Sequence, residues 1–113
     1  MNQFKVIALT HRTLGLDLVG KYHVEPEEQA ARFADIEQKF LIREFMFLST
    51  CNRVEFFMRT SQELSPAFVT RFLTTYFPNI TTEEIEKSVE NARMFDGIDA
   101  IRHMFHVASS LDS

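Results

Sequence analysis

A chain of 113 residues, 45% of them hydrophobic, has room for one domain with a sizeable core, which its twelve phenylalanines should dominate. A formal charge of −4 provides no general basic field, so any nucleic-acid contact must be local. One cysteine excludes an internal disulfide and fits a reducing compartment; no apolar run nears the roughly 20 residues that span a bilayer and no secretory signal opens the chain, so a cytoplasmic location is expected.

Phe4 to Thr10 reads as a strand, with Val6, Ala8 and Thr10 alternating against Lys5, Ile7 and Leu9. His11 to Val24 reads as irregular, with Gly15 and Gly20 as breakers. Glu25-Pro26-Glu27-Glu28 opens a helix, because proline suits the first turn and acids suit the positive end of the dipole. Ala30, Phe33, Ile36 and Phe40, with Ala34 alongside, give it an apolar stripe. Two strand-like runs follow, Phe45 to Leu48 and Val54 to Arg59. Ser65-Pro66 caps a helix that buries Phe68, Phe72, Leu73 and Tyr76 and stops at Pro78. Thr81 to Glu84 has the pattern of a capping box for a short helix carrying Ile85 and Val89. Ala92 to Phe95 reads as a short strand, Asp96-Gly97 as a turn, and a final helix starts at Ile98 or Asp99. The order predicts an α+β, ferredoxin-like split βαβ fold (βαββαβ): an antiparallel sheet with helices on one face, plus a C-terminal helix.

The chemistry concentrates at Leu48-Ser49-Thr50-Cys51-Asn52-Arg53-Val54-Glu55. Only the thiolate is a nucleophile, and an ordinary thiol is a few per cent ionised near neutral pH. Arg53 carries a permanent positive charge close enough in sequence to favour the thiolate. If the chain is extended here, Cys51, Arg53 and Glu55 share a face, which places an anion-binding group beside a nucleophile and an ion pair behind it. The plain alternative, a small buried cysteine, fits poorly inside Ser-Thr-Cys-Asn-Arg. On the last helix Ile98, Ile101, Met104, Phe105 and Ala108 form the expected core stripe, and His103 points nearly opposite. His103 is then either a solvated imidazole or part of a cleft closed by the Cys51 loop. His106 follows one turn later, but with one cysteine, no His-Glu-x-x-His and no acidic cluster there, no metal site is expected; His106 and His23 read as surface residues.

Ser49-Thr50-Cys51-Asn52-Arg53 with Glu55 resembles the catalytic signature of the glutamyl-tRNA reductase family. Phe4 to Thr13, ending in His11-Arg12-Thr13, resembles the family's opening strand, and Ala100 to Ser113 resembles its His-Leu-Phe-x-Val-Ala-Ser-Gly-Leu-Asp-Ser segment. Leu14-Gly15, Val19-Gly20 and Ser110 depart from the family's usual residues.

The resemblance implies that residues 1–113 form the N-terminal, glutamyl-tRNA-binding catalytic domain. It also implies that the NADPH-binding and dimerisation domains of a homodimeric enzyme are absent from this chain. It implies a thioester between Cys51 and the glutamyl group, reduced with NADPH to glutamate 1-semialdehyde at the start of porphyrin and haem biosynthesis. By the same resemblance His103 is important for activity, Arg53 recognises substrate and Ser113 contacts it. Thr50 and Asn52 would supply donors to the bound amino acid, while Ser49, Glu55, His11, Ser109 and Asp112 would support the site. Two other classes use the same residues differently. A cysteine-dependent acyl hydrolase or transferase would pass the acyl group to water or another acceptor, and a ferredoxin-like binding module would need no reactive thiol.

Overall fold

A computed structural model describes the backbone of residues 3–112 and the side chains of residues 3–110. In chain order the elements are β1 (Phe4–Thr10), α1 (His11–Leu14), α2 (Leu16–Lys21), α3 (Pro26–Phe40), β2 (Ile42–Ser49), β3 (Arg53–Thr60), α4 (Pro66–Tyr76), α5 (Thr82–Asn91), β4 (Arg93–Asp96) and α6 (Gly97–Asp112). The four strands form one sheet in the order β2-β3-β1-β4, and every neighbouring pair is antiparallel. Each crossover skips one strand: β1 and β2 flank β3, while β3 and β4 flank β1. This is the split βαβ arrangement that the element order predicts.

The central strands β1 and β3 are buried on both faces. Ile7 and Leu9 of β1 and Val54, Phe56 and Met58 of β3 face the main core, where α3 brings Ile36 and Phe40, α4 brings Phe68, Val69, Phe72 and Leu73, and α5 brings Ile85. The alternate residues Val6 and Phe57 turn to the other face and pack on Ala100 of α6, with Phe95 and Met104 at the margin. Full burial of Lys5 to Leu9 therefore reflects two covered faces, and polar-apolar alternation is absent there for that reason. The main core is aromatic, as the composition predicts. Phe56 meets Phe72 edge-on at 5.2 Å between centroids and lies beside Phe47 at 5.3 Å.

The helix ends follow the sequence signals. The Ser65 hydroxyl accepts from the Phe68 N–H at 3.2 Å, and Thr81 and Glu84 make both bonds of a capping box. The segment from His11 to Val24 departs from expectation, since it holds two short helices. Gly15 separates them at φ 84, whereas Gly20 lies inside α2 and breaks nothing. Leu14, Leu18, Val19, Tyr22 and Val24 are buried, and the Tyr22 hydroxyl donates to Ser88 at 2.6 Å, which fastens this segment to α5. A run of short helices with a glycine between them carries too few turns for a clear period. The expected strand at Ala92 begins one residue later, at Arg93.

Tyr76 lies among Phe45, Phe72 and Phe77, and its hydroxyl has no hydrogen-bond partner among the described residues. Desolvation pushes its phenol up from 10.0 to about 12, with Arg32 opposing. The unfolded phenol ionises first, so the stability this group contributes is whole below pH ~10 and drains as pH rises towards about 12. At pH 11 the loss should be about 1.4 kcal/mol. Urea unfolding at pH 8 and pH 11 should show a steeper fall for the wild type than for Tyr76→Phe, and equal falls would refute the assignment.

Candidate functional site

Between β2 and β3 the chain reverses through Thr50-Cys51-Asn52, with Ser49 paired to Val54 as the last rung. Tight two-residue hairpins favour left-handed residues, yet among the described residues the non-glycine with positive φ is Leu41, far from the turn. The turn is held by its own threonine instead. Thr50 Oγ1 accepts from the backbone N–H of Asn52 at 3.3 Å and of Arg53 at 3.2 Å, and the Thr50 N–H donates to the Arg53 carbonyl at 2.9 Å. The start of α1 braces the turn from the side: the His11 N–H donates to the Asn52 carbonyl at 2.9 Å, and His11 Nδ1 lies 3.3 Å from the same oxygen. Cys51 is exposed at the tip. Because the backbone bends there, strand alternation reaches only as far as Arg53, and a face shared by Cys51 and Arg53 is not imposed by an extended chain.

Alternation does hold from Arg53 to Glu55. Arg53 Nη1 donates to Glu55 Oε2 at 3.1 Å, and Glu55 Oε1 receives His103 Nε2 at 2.6 Å. The Glu55 side chain is 1% exposed, that of His103 11% and that of Arg53 34%. A lone carboxylate at such depth would cost several kcal/mol, so both oxygens need the donors they have. The imidazole also stacks on Phe95, with centroids 4.2 Å apart and planes 13° from parallel. The Arg93 guanidinium lies 5.0 Å from the centre of the same phenyl ring.

The placement of His103 overturns an expectation. The predicted core stripe of α6 puts it on the outer side, but the buried residues are Ala100 and Val107, with His103 and Met104 half-buried between them. Ile98 and Phe105 of that stripe are exposed, as is Ala108, while Ile101 is half-buried. The helix is thus rotated by roughly 100°, one residue position, from the face that apolar period selects. Small Ala100 admits close approach to Val6 and Phe57, and Glu55 offers a buried acceptor that an apolar residue in place of His103 would leave unpaired. Ala100 packs at Phe57 and His103 reaches Glu55, two residues nearer the turn, so α6 advances towards the Cys51 end of the sheet.

Ser109 lies in the last turns of α6, as does the backbone of Asp112, while the Asp112 side chain and Ser113 fall outside the described residues. Ser110 is helical and its hydroxyl donates to the His106 carbonyl at 3.1 Å, so this position does not require a glycine. A cleft of about 620 Å³ opens beside the buried trio, lined by Arg53, Phe95, His103 and His106, with Arg93 and Arg102 against Asp96 and Asp99. Cys51 is outside that lining, two residues from Arg53. The sequence reading missed Phe95 and Arg93 as site residues; their one signal is that they are alternate residues of a short strand. Among the described residues no three metal-capable side chains converge. His23, expected at the surface, is exposed and lies 3.3 Å from Glu25.

A split βαβ sheet with an exposed thiol on a braced hairpin, beside an arginine-lined cleft, defines an α+β domain with a candidate nucleophile. Residues 7–113 match the family model described as "Glutamyl-tRNAGlu reductase, N-terminal domain", and the chain belongs to that family. It is 34% identical over 109 residues to the glutamyl-tRNA reductase of Syntrophobacter fumaroxidans, covering 96% of this chain and 23% of the relative. It is 35% identical over 109 residues to that of Citrifermentans bemidjiense, covering 96% of this chain and 24% of the relative. The chain thus spans about a quarter of the length of these curated relatives. A solved glutamyl-tRNA reductase from Methanopyrus kandleri superposes with a TM-score of 0.64 at 24% identity, over all of this chain and 24% of that one, which supports the fold.

The Thr50 hydroxyl has a testable load. Thr50→Val keeps the shape but removes the acceptor of two backbone N–H groups, and should cost about 1 kcal/mol. Amide exchange at Asn52 and Arg53 should quicken while β1 is unchanged. Unaltered protection at both amides would show that the turn holds without the hydroxyl.

Proposed function

We propose that this chain carries out the acyl-transfer half of glutamyl-tRNA reduction, with Cys51 as nucleophile. The observation that carries the reading is an exposed thiol on a hydrogen-bonded turn, two residues from an arginine held by a buried carboxylate that also holds a histidine. The Cys51 thiolate attacks the ester carbonyl of glutamyl-tRNA. A C–S bond forms, the C–O bond to the terminal ribose breaks, and the departing oxygen takes a proton to become the tRNA hydroxyl. The acyl group remains as a thioester.

Arg53 recognises the glutamyl side chain. Its Nη1 is engaged by Glu55, and the Nε–Nη2 edge remains a two-pronged donor that matches a carboxylate. His103, held by Glu55 at the cleft, handles a proton or orients a water or the substrate. Thr50 and Asn52 shape the turn around the nucleophile, Ser49 and His11 support it, and Ser109, Asp112 and Ser113 are carried over from the family resemblance as substrate-contacting or capping groups. In the whole enzyme, bound NADPH would supply the hydride that takes the thioester to glutamate 1-semialdehyde and frees the thiol, the opening step of tetrapyrrole biosynthesis. The chain has three glycines, none in a Gly-x-Gly-x-x-Gly loop, so the nicotinamide is assigned in this proposal to the rest of the enzyme. The full enzyme's homodimerisation and cytoplasmic location belong to the same proposal. No helix among the described residues is long and apolar enough to cross a membrane.

Mixing the chain with an activated glutamate ester should give a labile mass adduct on Cys51, and none with Cys51→Ser. Absence of an adduct on the wild-type thiol would overturn the reading, and an unchanged product when NADPH is added is expected. Arg53→Lys keeps the charge but loses the fork. Its acylation by the glutamyl ester should fall about tenfold or more, with little change for an alanyl ester. An unaltered glutamyl preference would move carboxylate recognition to another residue.

A further inference from the structure

Resting on that acyl-transfer reading, we infer that Glu55 is a positioning residue that fixes His103 as its Nε2–H tautomer and so presents Nδ1 as the site's proton acceptor. The separation of 2.6 Å between His103 Nε2 and Glu55 Oε1 decides the ring orientation, because a ring carbon in that place would sit well inside the 3.3–3.6 Å of ordinary C–H···O contacts. A carboxylate only accepts, so the imidazole must donate through Nε2. In the neutral ring the lone pair is then on Nδ1. Phe95, stacked at 4.2 Å and nearly parallel, holds the ring plane that aims this nitrogen.

The same carboxylate holds Arg53, and this makes the arrangement directional. Arginine has five donors and no acceptor, whereas neutral imidazole can exchange its tautomer. If Glu55 becomes glutamine, its one oxygen must serve Arg53 and its NH₂ must face His103. The imidazole then accepts at Nε2 and carries its proton on Nδ1. Glu55→Gln should therefore invert the tautomer of His103 while Arg53 stays in place. The substitution separates carboxylate recognition from proton acceptance, which a merely structural role would not do.

The charged groups around the ring are Arg53 and Glu55 on β3, Arg93 and Asp96 on β4, and Asp99, Arg102 and His106 on α6. The Arg53–Glu55 pair is the one bonded to the ring's partner, and the other groups line the cleft.

The experiment is long-range ¹⁵N–¹H correlation on the 113-residue chain without substrate, titrated to where the imidazole is neutral. The wild type should show the His103 proton on Nε2, and Glu55→Gln should show it on Nδ1. A wild-type proton on Nδ1, or a ring still doubly protonated at pH 9, overturns the inference. So does a folded Glu55→Gln variant that keeps the Nε2 proton. If that variant fails to fold, the wild-type tautomer alone decides. Acylation of Cys51 by the glutamate ester, run in parallel, should fall on the order of a hundredfold in Glu55→Gln, with the glutamyl-over-alanyl preference retained. Loss of that preference with the rate unchanged would overturn the positioning role. Failure of the wild-type thiol to acylate would instead overturn the acyl-transfer reading, whatever the tautomer.

Discussion

Glu55 is a carboxylate set into the face of a sheet, 1% exposed and bound through one oxygen to Arg53 and through the other to His103. A charge at that depth is tolerable only if both acceptor positions are filled, and each partner must come from a defined direction. Arg53 comes from the same strand two residues earlier, which the pleat supplies directly. His103 must come from the layer above, so α6 has to cross this face with one particular side down. The rotation of α6, the burial of Ala100, and the exposure of Ile98 and Phe105 all follow from that requirement.

The turn that carries Cys51 is held by other bonds. Its geometry comes from the Thr50 hydroxyl and from His11 on the neighbouring strand's extension, while its tip remains open. Behind it, β1 and β3 pair over seven positions, from Phe4↔Arg59 to Thr10↔Arg53, and both strands are anchored in the aromatic core. An exposed thiol on a braced turn at the end of two buried strands is positioned without a well-packed side chain of its own.

The chain's net charge is acidic, yet the cleft beside the trio carries three arginines and two histidines against two aspartates. Asp99 stands 3.8 Å from Arg102, and Arg93 rests against Phe95. The cleft's arginines stand among carboxylates, with Arg53 on Glu55 and Arg102 near Asp99, an arrangement that suits one anionic group better than a long polyanion. Residues 7–113 match the reductase family's N-terminal domain, and the chain covers about a quarter of the length of those relatives.

Local signals determined most elements of this protein. The Pro26 and Pro66 helix starts, the Ser65 cap, the Thr81–Glu84 capping box and the strands around Cys51 depend on residues within a few positions of each other, so they were legible in the chain. The Arg53–Glu55 pair was legible too, since a period of two is enough to align it. What only the tertiary structure decided depends on distant residues. The helices within His11 to Val24 are held by burial against the core and by Tyr22 on Ser88, 66 residues away. The inward face of α6 is chosen by Glu55, 48 residues before His103, and a helix whose apolar stripe lies to one side of its buried histidine gives the opposite answer to a periodicity count. A buried charge outweighed the apolar stripe: Ile98 and Phe105 are 49% and 64% exposed, so together they forfeit only about 2–3 kcal/mol of burial, whereas stripping one partner from a buried ion pair costs roughly 3–5 kcal/mol.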